Sequence, residues 1–352
     1  MERSGSQTWP VDLVLEGGGV KGIALAGALA ALEANGYAPK HLAGASAGAI
    51  AATLYAAGYS AEELHQELVQ IPFASFLDEG FEDRIPLIGK GVSVLFEHGI
   101  YEGTALLDWM REMLARKNVK TFGDIARGEA GENRLQVIAS DLTARRLLVL
   151  PDDALMFGLE PDDLELAWAV RMSMSIPVFF EPVPWTNGRT GVEHVIVDGG
   201  MLSNFPVWLF DADGEPRWPT FGLMLSEPNA REEAPARIPG TEGGEGPVRG
   251  LISYLTSLIG TMLEANDRRY LEQADYARTI TIPTLGVGTT EFDLKPERAE
   301  ELYESGRRAA EEFLEKVWDF EGYKAQFRRG AVLSRRQQVA EAMRAAGADA
   351  TG

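Results

Sequence analysis

The sequence of 352 residues contains no cysteine. Disulfide bonds, thiolate metal sites, iron–sulfur clusters and a cysteine nucleophile are therefore excluded. No uninterrupted run of about 18 apolar residues occurs, so we expect no transmembrane helix. The first ten residues also lack the apolar stretch of a signal peptide. These absences predict a cytoplasmic protein.

Basic residues are scarce relative to acidic ones. The 33 Lys and Arg residues against 53 Asp and Glu residues give a formal net charge of −20. Because nucleic-acid-binding proteins normally present a basic surface, we expect no nucleic-acid partner. The hydrophobic fraction of 45% and the charged fraction of 24% are typical of a globular protein with a sizeable core.

Two successive units of strand, turn and helix open the chain. The first comprises the apolar run Val11–Leu15, a glycine-rich loop at 17–22 and an alanine- and leucine-rich helix at Ile23–Ala34. The second runs from a short strand at His41–Ala43 through a tight turn at 44–48 into another helix. Two such units in sequence predict an α/β protein with a parallel sheet covered by helices.

Other segments extend this pattern. A helix is predicted from Leu164 to Ser175, ended by Pro177. Further strands are predicted at Leu135–Ala139 with a hairpin partner at Leu147–Leu150, and at Val195–Val197, Thr220–Leu225 and Thr279–Ile282.

The loop Gly17-Gly18-Gly19-Val20-Lys21-Gly22 matches the G-x-G-x-x-G pattern of dinucleotide-binding proteins. That fingerprint also needs an acidic residue about 20 positions later, and the stretch 39–42 has none. A phosphate-binding Walker loop would need Ser or Thr after Lys21. What remains is a row of amides at a helix N-terminus, which can stabilise an oxyanion. The alternative is a tight turn that needs glycine for close packing.

Ser46 lies in the G-x-S-x-G motif Gly44-Ala45-Ser46-Ala47-Gly48, between a predicted strand and a predicted helix. In such an elbow the serine is held in a strained backbone conformation that exposes its Oγ. Small residues at Gly44 and Gly48 let the strand and the helix approach closely. The alternative is an ordinary serine at a helix N-cap.

A serine nucleophile needs a proton acceptor. None of the four histidines ends a predicted strand, where sites in α/β proteins gather: His41, His65, His98 and His194. Asp198 does end one, and a partly buried carboxylate with a raised pKa can accept the proton directly. Asp141, at the end of another strand, is a competing carboxylate, and an Asp-Gly turn is the structural alternative for Asp198.

Three motifs in this order resemble the patatin-like phospholipase family: the loop at 17–22, the elbow at 44–48 and Asp198-Gly199-Gly200. The stretch Arg171–Pro177 also looks like the bacterial members. The resemblance covers about residues 10–290 and implies a three-layer α/β/α fold with a mostly parallel central sheet.

The resemblance also implies roles for individual residues. In that family the elbow serine is the nucleophile and the aspartate of D-G-G completes a Ser–Asp dyad, which correspond to Ser46 and Asp198. The glycine loop forms the oxyanion hole, which corresponds to Gly17, Gly18 and Gly19. Lys21, with Gly22, supports the loop or steers anionic head groups. No metal and no cofactor are implied.

The implied activity is that of a serine acyl hydrolase of the lipase or phospholipase A type. Its substrates would be fatty acyl esters of phospholipids or lysophospholipids, cleaved through an acyl-enzyme. One alternative is a lipid acyltransferase, since the fold also resembles that of malonyl-CoA:ACP transacylase, which relies on a histidine partner. Another is an inactive lipid-binding module.

The chain is interpreted as a catalytic domain at 10–320, with a mobile loop at 232–250, followed by a helical C-terminal tail at 321–352. The stretch Leu251–Leu263 has one apolar helical face and predicts either a core helix or an interfacial lid. Basic residues in the tail could touch anionic lipid. Peripheral membrane contact is therefore an open alternative.

Overall fold

The computed structural model of the protein describes most of the chain: residues 8–70, 101–128, 131–226, 271–289 and 293–329, with Leu258, Gly260 and Glu291. The loop predicted at 232–250 and His98 lie outside the described residues. So does the helix predicted at 251–263, apart from Leu258 and Gly260, and the predicted tail beyond residue 329.

The described strands form one sheet: β1 (Trp9–Leu15), β2 (Tyr37–Ala45), β3 (Leu135–Asp141), β4 (Arg146–Leu150), β5 (Val183–Thr186), β6 (Glu193–Asp198), β7 (Thr220–Ser226) and β8 (Thr279–Pro283). Their spatial order is β5-β6-β3-β2-β1-β7-β8, and β4 pairs with β3 off this path. Strands β3, β2, β1, β7 and β8 are neighbours in this order and run parallel to one another. Strands β4 and β6 pair antiparallel with β3, and β5 pairs antiparallel with β6. The predicted mostly parallel sheet is confirmed.

Helices cover this sheet: α1 (Ile23–Ala34), α2 (Ala47–Ala56), α3 (Ala61–Gln70), α4 (Thr104–Arg116), α5 (Leu166–Ser173), α6 (Gln273–Ala277), α7 (Pro296–Glu312) and α8 (Phe320–Tyr323). Two π-helical turns, at 313–317 and 324–328, flank α8. Within the described part of the chain, no helix combines the length and apolar character needed to cross a bilayer.

Helix α1 is apolar on nearly every side because it is enclosed. It packs against the sheet and crosses α7, where Gly27 lies against the backbone of Tyr303 and Gly306 lies against the backbone of Ala24. Asn35 ends α1, and its side-chain amide donates to Ala31 O at 2.8 Å. The predicted bounds of this helix are confirmed.

The start of the predicted C-terminal tail also contacts the rest of the protein. Tyr323 is buried beside Trp318, and Arg328 donates to Ala212 O at 2.6 Å. The division of the chain at residue 320 stays a prediction.

Strand β5 has no counterpart among the predicted strands. Pro184 interrupts its pattern, although Val183 and Trp185 are buried in the alternation expected of a strand. Proline is tolerated there because β5 lies at the edge of the sheet.

Candidate active site

The register of three strands brings Ser46 and Asp198 to the same level of the sheet. Ala45, at the end of β2, pairs with Ile138 of β3, and the next residue, Ala139, pairs with Asp198 of β6. Asp198 is the last residue of β6, as the sequence predicts. Strand β6 runs antiparallel to β3, and this antiparallel register aligns Asp198 with Ser46.

The turn at Ser46 has the geometry of a nucleophile elbow. Ser46 adopts φ 50° and ψ −126°, a conformation that side-chain-bearing residues rarely adopt. A Cβ at Gly44 would overlap Gly48 O, and one at Gly48 would overlap Leu15 O. These contacts explain the glycines on either side. The Ser46 side chain makes no capping hydrogen bond to α2, so the N-cap alternative does not account for it.

Ser46 is held at both its amide and its hydroxyl by the end of α5. Its N–H donates to Ser173 Oγ at 2.8 Å, and the Ser173 hydroxyl donates to Ile138 O at 2.6 Å. The Ser46 hydroxyl donates to Met174 Sδ at 3.4 Å. The sequence pattern gave neither Ser173 nor Met174 a role, although the stretch containing them resembled the family.

Asp198 is fully buried beside Ser46. Its N–H donates to Ser175 O at 3.0 Å, and its Oδ1 accepts the Gly200 N–H at 2.8 Å. Burial raises the pKa of Asp198 to about 7, against the opposing effects of the Ser46 hydroxyl and the Gly200 amide. The Ser46 hydroxyl is thus close to Asp198, yet its hydrogen bond goes to Met174. Oδ2 accepts no hydrogen bond from the described residues.

The glycine loop lies directly against the elbow, since a Cβ on Gly17 would come within 2.9 Å of Ser46 Cβ. The Gly17 N–H donates to Asn204 O at 3.2 Å, and Asn204 Nδ2 donates to Gly17 O at 2.9 Å. The Gly17 amide is therefore occupied, which does not fit its predicted role as an oxyanion donor. The amides of Gly18 and Gly19 are the remaining donors of the predicted set.

The rest of the loop is closely packed. Gly19 adopts φ +56°, and a Cβ there would overlap Thr289 O. A Cβ on Gly22 would come within 2.7 Å of Ala47 Cβ, at the first residue of α2. Lys21 is buried, being only 6% exposed, which favours support of the loop over head-group steering.

The competing carboxylate, Asp141, is occupied elsewhere. It is fully buried, its Oδ2 lies 2.8 Å from His194 Nδ1, and its Oδ1 accepts the Ala144 N–H at 2.9 Å. Asp141 therefore fixes His194 and a local turn. Between the two candidate carboxylates, only Asp198 adjoins Ser46.

The other two described histidines are also engaged by carboxylates. His41 lies between Asp12 Oδ1, at 2.7 Å, and Glu132 Oε1, at 2.9 Å, and His65 bonds Glu300 at 2.8 Å. Burial lowers the pKa of His41, but its two acidic partners outweigh this effect and raise it overall. No described histidine hydrogen-bonds Ser46. Nor do the described residues include a cluster of three His, Asp or Glu side chains suited to a metal.

The sequence is similar to those of known proteins. The family model of patatin-like phospholipases matches residues 13–211, which include the loop, Ser46 and Asp198. The uncharacterized protein YqhO of Bacillus subtilis (strain 168) is 38% identical over 310 residues, covering 88% of this chain and 99% of that protein. The probable lipid hydrolase 463L of Invertebrate iridescent virus 6 is 24% identical over 198 residues, covering 55% of this chain and 61% of that protein.

Among solved structures, VipD from Legionella pneumophila has a similar fold, with a TM-score of 0.50 and 20% sequence identity. The match covers 89% of this chain and 68% of that one. The family match over more than half of the sequence, and the extensive identity to the Bacillus relative, settle the classification. The chain belongs to the patatin-like phospholipase family.

Proposed function

We propose that the protein is a serine acyl hydrolase that cleaves fatty acyl esters of lipids with Ser46 as nucleophile and Asp198 as base. The observation that carries this proposal is the strained Ser46 beside the buried Asp198 carboxylate, whose Oδ2 accepts no hydrogen bond from the part of the chain that the structure describes. The glycine loop against Ser46 supplies candidate donors for an oxyanion.

The first half of the reaction forms the acyl-enzyme. The Ser46 hydroxyl turns from Met174 Sδ to Asp198 Oδ2, which accepts its proton as Oγ bonds to the ester carbonyl carbon. The carbonyl π electrons move to the oxygen, and the Gly18 and Gly19 amides donate to that oxyanion. Collapse breaks the bond to the alcohol, which leaves with the proton from Asp198.

The second half regenerates the enzyme. Asp198 takes a proton from water as the water oxygen attacks the acyl carbon, and the fatty acid leaves as the proton returns to Ser46 Oγ. Loss of one oxyanion donor is expected to cost on the order of 3 kcal/mol in transition-state stabilisation.

The pKa of Asp198 suits this role. A general base works best when its pKa lies near the working pH, and burial brings that of Asp198 to about 7. A carboxylate with an ordinary pKa would be ionised at neutral pH, but it would be a weak base towards the serine hydroxyl. Burial therefore supplies the basicity that histidine provides in Ser–His enzymes.

Family membership supports a lipid ester as the substrate, and the viral relative is named a probable lipid hydrolase. We propose phospholipids or lysophospholipids as the substrate class, and water as the acyl acceptor. The transacylase alternative relies on a histidine partner, and the described histidines are held by carboxylates. Residence in the cytoplasm stays a prediction.

The test is Ser46→Ala. We expect it to lower ester hydrolysis by at least about 10⁴-fold and to abolish covalent labelling by a fluorophosphonate, with an unchanged circular dichroism spectrum. Activity is measured on phospholipid and lysophospholipid in excess chelator, and products are compared with and without an added alcohol acceptor. Labelling of the Ser46→Ala protein at the wild-type rate would refute the proposal.

A further inference from the structure

Three consecutive residues, beginning with the last residue of α5, contact both members of the proposed dyad. Ser173 Oγ accepts the Ser46 N–H, Met174 Sδ accepts the Ser46 O–H, and Ser175 O accepts the Asp198 N–H. The reaction proposed above draws on none of these three residues for its chemistry. Their shared position indicates that this segment sets the geometry of the pair.

Ser173 is the best placed of the three to fix the nucleophile. It is completely buried, and its hydroxyl is used twice, at 2.8 Å to the Ser46 amide and at 2.6 Å to Ile138 O. A hydroxyl can accept and donate at once, which neither a methyl group nor a carbonyl can do. Ile138 directly precedes Ala139, the residue that pairs with Asp198. Ser173 thus connects the elbow to the strand beside Asp198.

The backbone at Ser46 needs such a contact. A non-glycine residue at φ 50° is strained and persists only when its surroundings hold it there. Without the Ser173 hydroxyl, the buried Ser46 amide would lose its acceptor, which is costly. The elbow would then relax and move Oγ relative to Asp198.

The neighbouring contacts hold the segment itself in place. Buried Arg171 donates to Ser175 Oγ at 2.5 Å, to Glu102 O at 2.6 Å and to Glu181 O at 2.9 Å. These bonds fix the turn after α5, from which the Ser175 carbonyl reaches the Asp198 amide. Both Ser46 and Asp198 therefore hydrogen-bond to residues 173–175, a segment that the Arg171 contacts hold in place.

We propose that Ser173 is a positioning residue for catalysis, whose hydroxyl holds Ser46 in the productive elbow conformation. The proposal rests on the proposed function, because it requires Ser46 to be the nucleophile. Ser173 acts through Ser46 and does not touch the substrate. Its loss should therefore impair the chemical step rather than substrate binding.

The experiment compares Ser173→Ala with Ser173→Cys. Cysteine nearly preserves the volume of serine but is a weak hydrogen-bonding group, and the chain has no other cysteine. We expect both variants to lower kcat for ester hydrolysis, and the rate of fluorophosphonate labelling, on the order of 30- to 100-fold, with KM nearly unchanged. Rates are normalised to the folded fraction measured by circular dichroism.

Thr53→Val is the matched control. Thr53 is a buried hydroxyl residue of α2 whose Oγ1 has no hydrogen-bond partner among the described residues. We expect wild-type kcat and KM from this variant. It shows what loss of a buried hydroxyl near the elbow does when no hydrogen bond is lost.

Two results would overturn the inference. Wild-type kcat in Ser173→Cys would mean that volume alone matters, and a raised KM with unchanged kcat would place Ser173 in substrate binding. If Ser173→Ala does not fold, the kcat and KM of Ser173→Cys still test the proposal. If the wild-type protein neither hydrolyses esters nor reacts with the fluorophosphonate, the proposed function fails instead.

Discussion

Burial of Asp198 has opposite consequences for reactivity and for stability. In the folded protein its pKa rises from 3.8 to about 7, so the folded state keeps a proton that the unfolded chain releases near pH 4. Between these values the native state binds more protons than the unfolded state. The free energy of unfolding therefore falls as the pH rises through this window, by at most about 4 kcal/mol.

Asp198→Asn should reverse this loss of stability. The amide oxygen can still accept the Gly200 N–H, but the side chain no longer ionises. We expect the free energy of unfolding to rise by up to about 4 kcal/mol at pH 8 and to change little at pH 4. Denaturant unfolding at the two pH values measures the difference. A variant less stable than wild type at pH 8 would contradict a raised pKa.

The same substitution should nearly eliminate catalysis, by about 10³-fold or more, because an amide cannot accept the Ser46 proton. For the wild-type protein, kcat/KM should fall as the pH drops through about 7, since only ionised Asp198 is a base. A pH–rate profile checks both expectations. His65→Gln and His194→Gln should keep most of the rate. A histidine variant as inactive as Asp198→Asn would favour a Ser–His mechanism.

At the scale of elements, the elbow depends on how closely α2 approaches the ends of β1 and β2. Gly48 faces the Leu15 carbonyl with no room for a Cβ. The strained serine therefore rests on a backbone contact between three elements. This contact explains the glycine at position 48, and the close approach of Gly44 to the Gly48 carbonyl explains the glycine at position 44.

Gly48→Ala should force α2 away from β1. We expect it to lower the free energy of unfolding by about 1–3 kcal/mol, as overpacking does, and to reduce ester hydrolysis because Ser46 moves with α2. Gly288→Ala is the control, since among the described residues its Cβ would meet no atom closer than 3.9 Å. Denaturant unfolding and a hydrolysis assay compare the two. Equal stability of both variants would contradict the close contact.

At the scale of the whole molecule, the fold extends beyond the region matched by the family model, which ends at residue 211. Strand β7 pairs with β1 along the side opposite β2, and β8 pairs with β7. Helix α7 then packs on α1. The strand that leads into the glycine loop is therefore internal to the sheet only when the later segments are present.

A protein ending at residue 211 should fail to fold. Its β1 edge would be unpaired and the apolar surface of α1 that faces α7 would be exposed. We expect loss of the near-ultraviolet circular dichroism signal and of cooperative thermal unfolding, relative to the full chain. A soluble fragment with a cooperative transition would show that the later segments are dispensable for folding.

Several features of this protein follow from sequence alone because they are local. The uniform apolar character and the Asn35 cap determine the bounds of α1. The elbow motif predicted a strained turn at Ser46, since small residues beside a serine permit that backbone shape. The order of three motifs indicated the family, and with it Asp198 as the candidate base.

Other features depend on residues far apart in the chain, and no local pattern encodes their register. Asp141 bonds His194, 53 residues away in the chain, and only the tertiary structure shows that Asp198, and not Asp141, lies beside Ser46. The Gly17 amide is occupied by Asn204, which sequence spacing did not indicate. The tertiary structure decided where these residues lie, because each contact requires strands and loops that are distant in the chain to meet in one alignment.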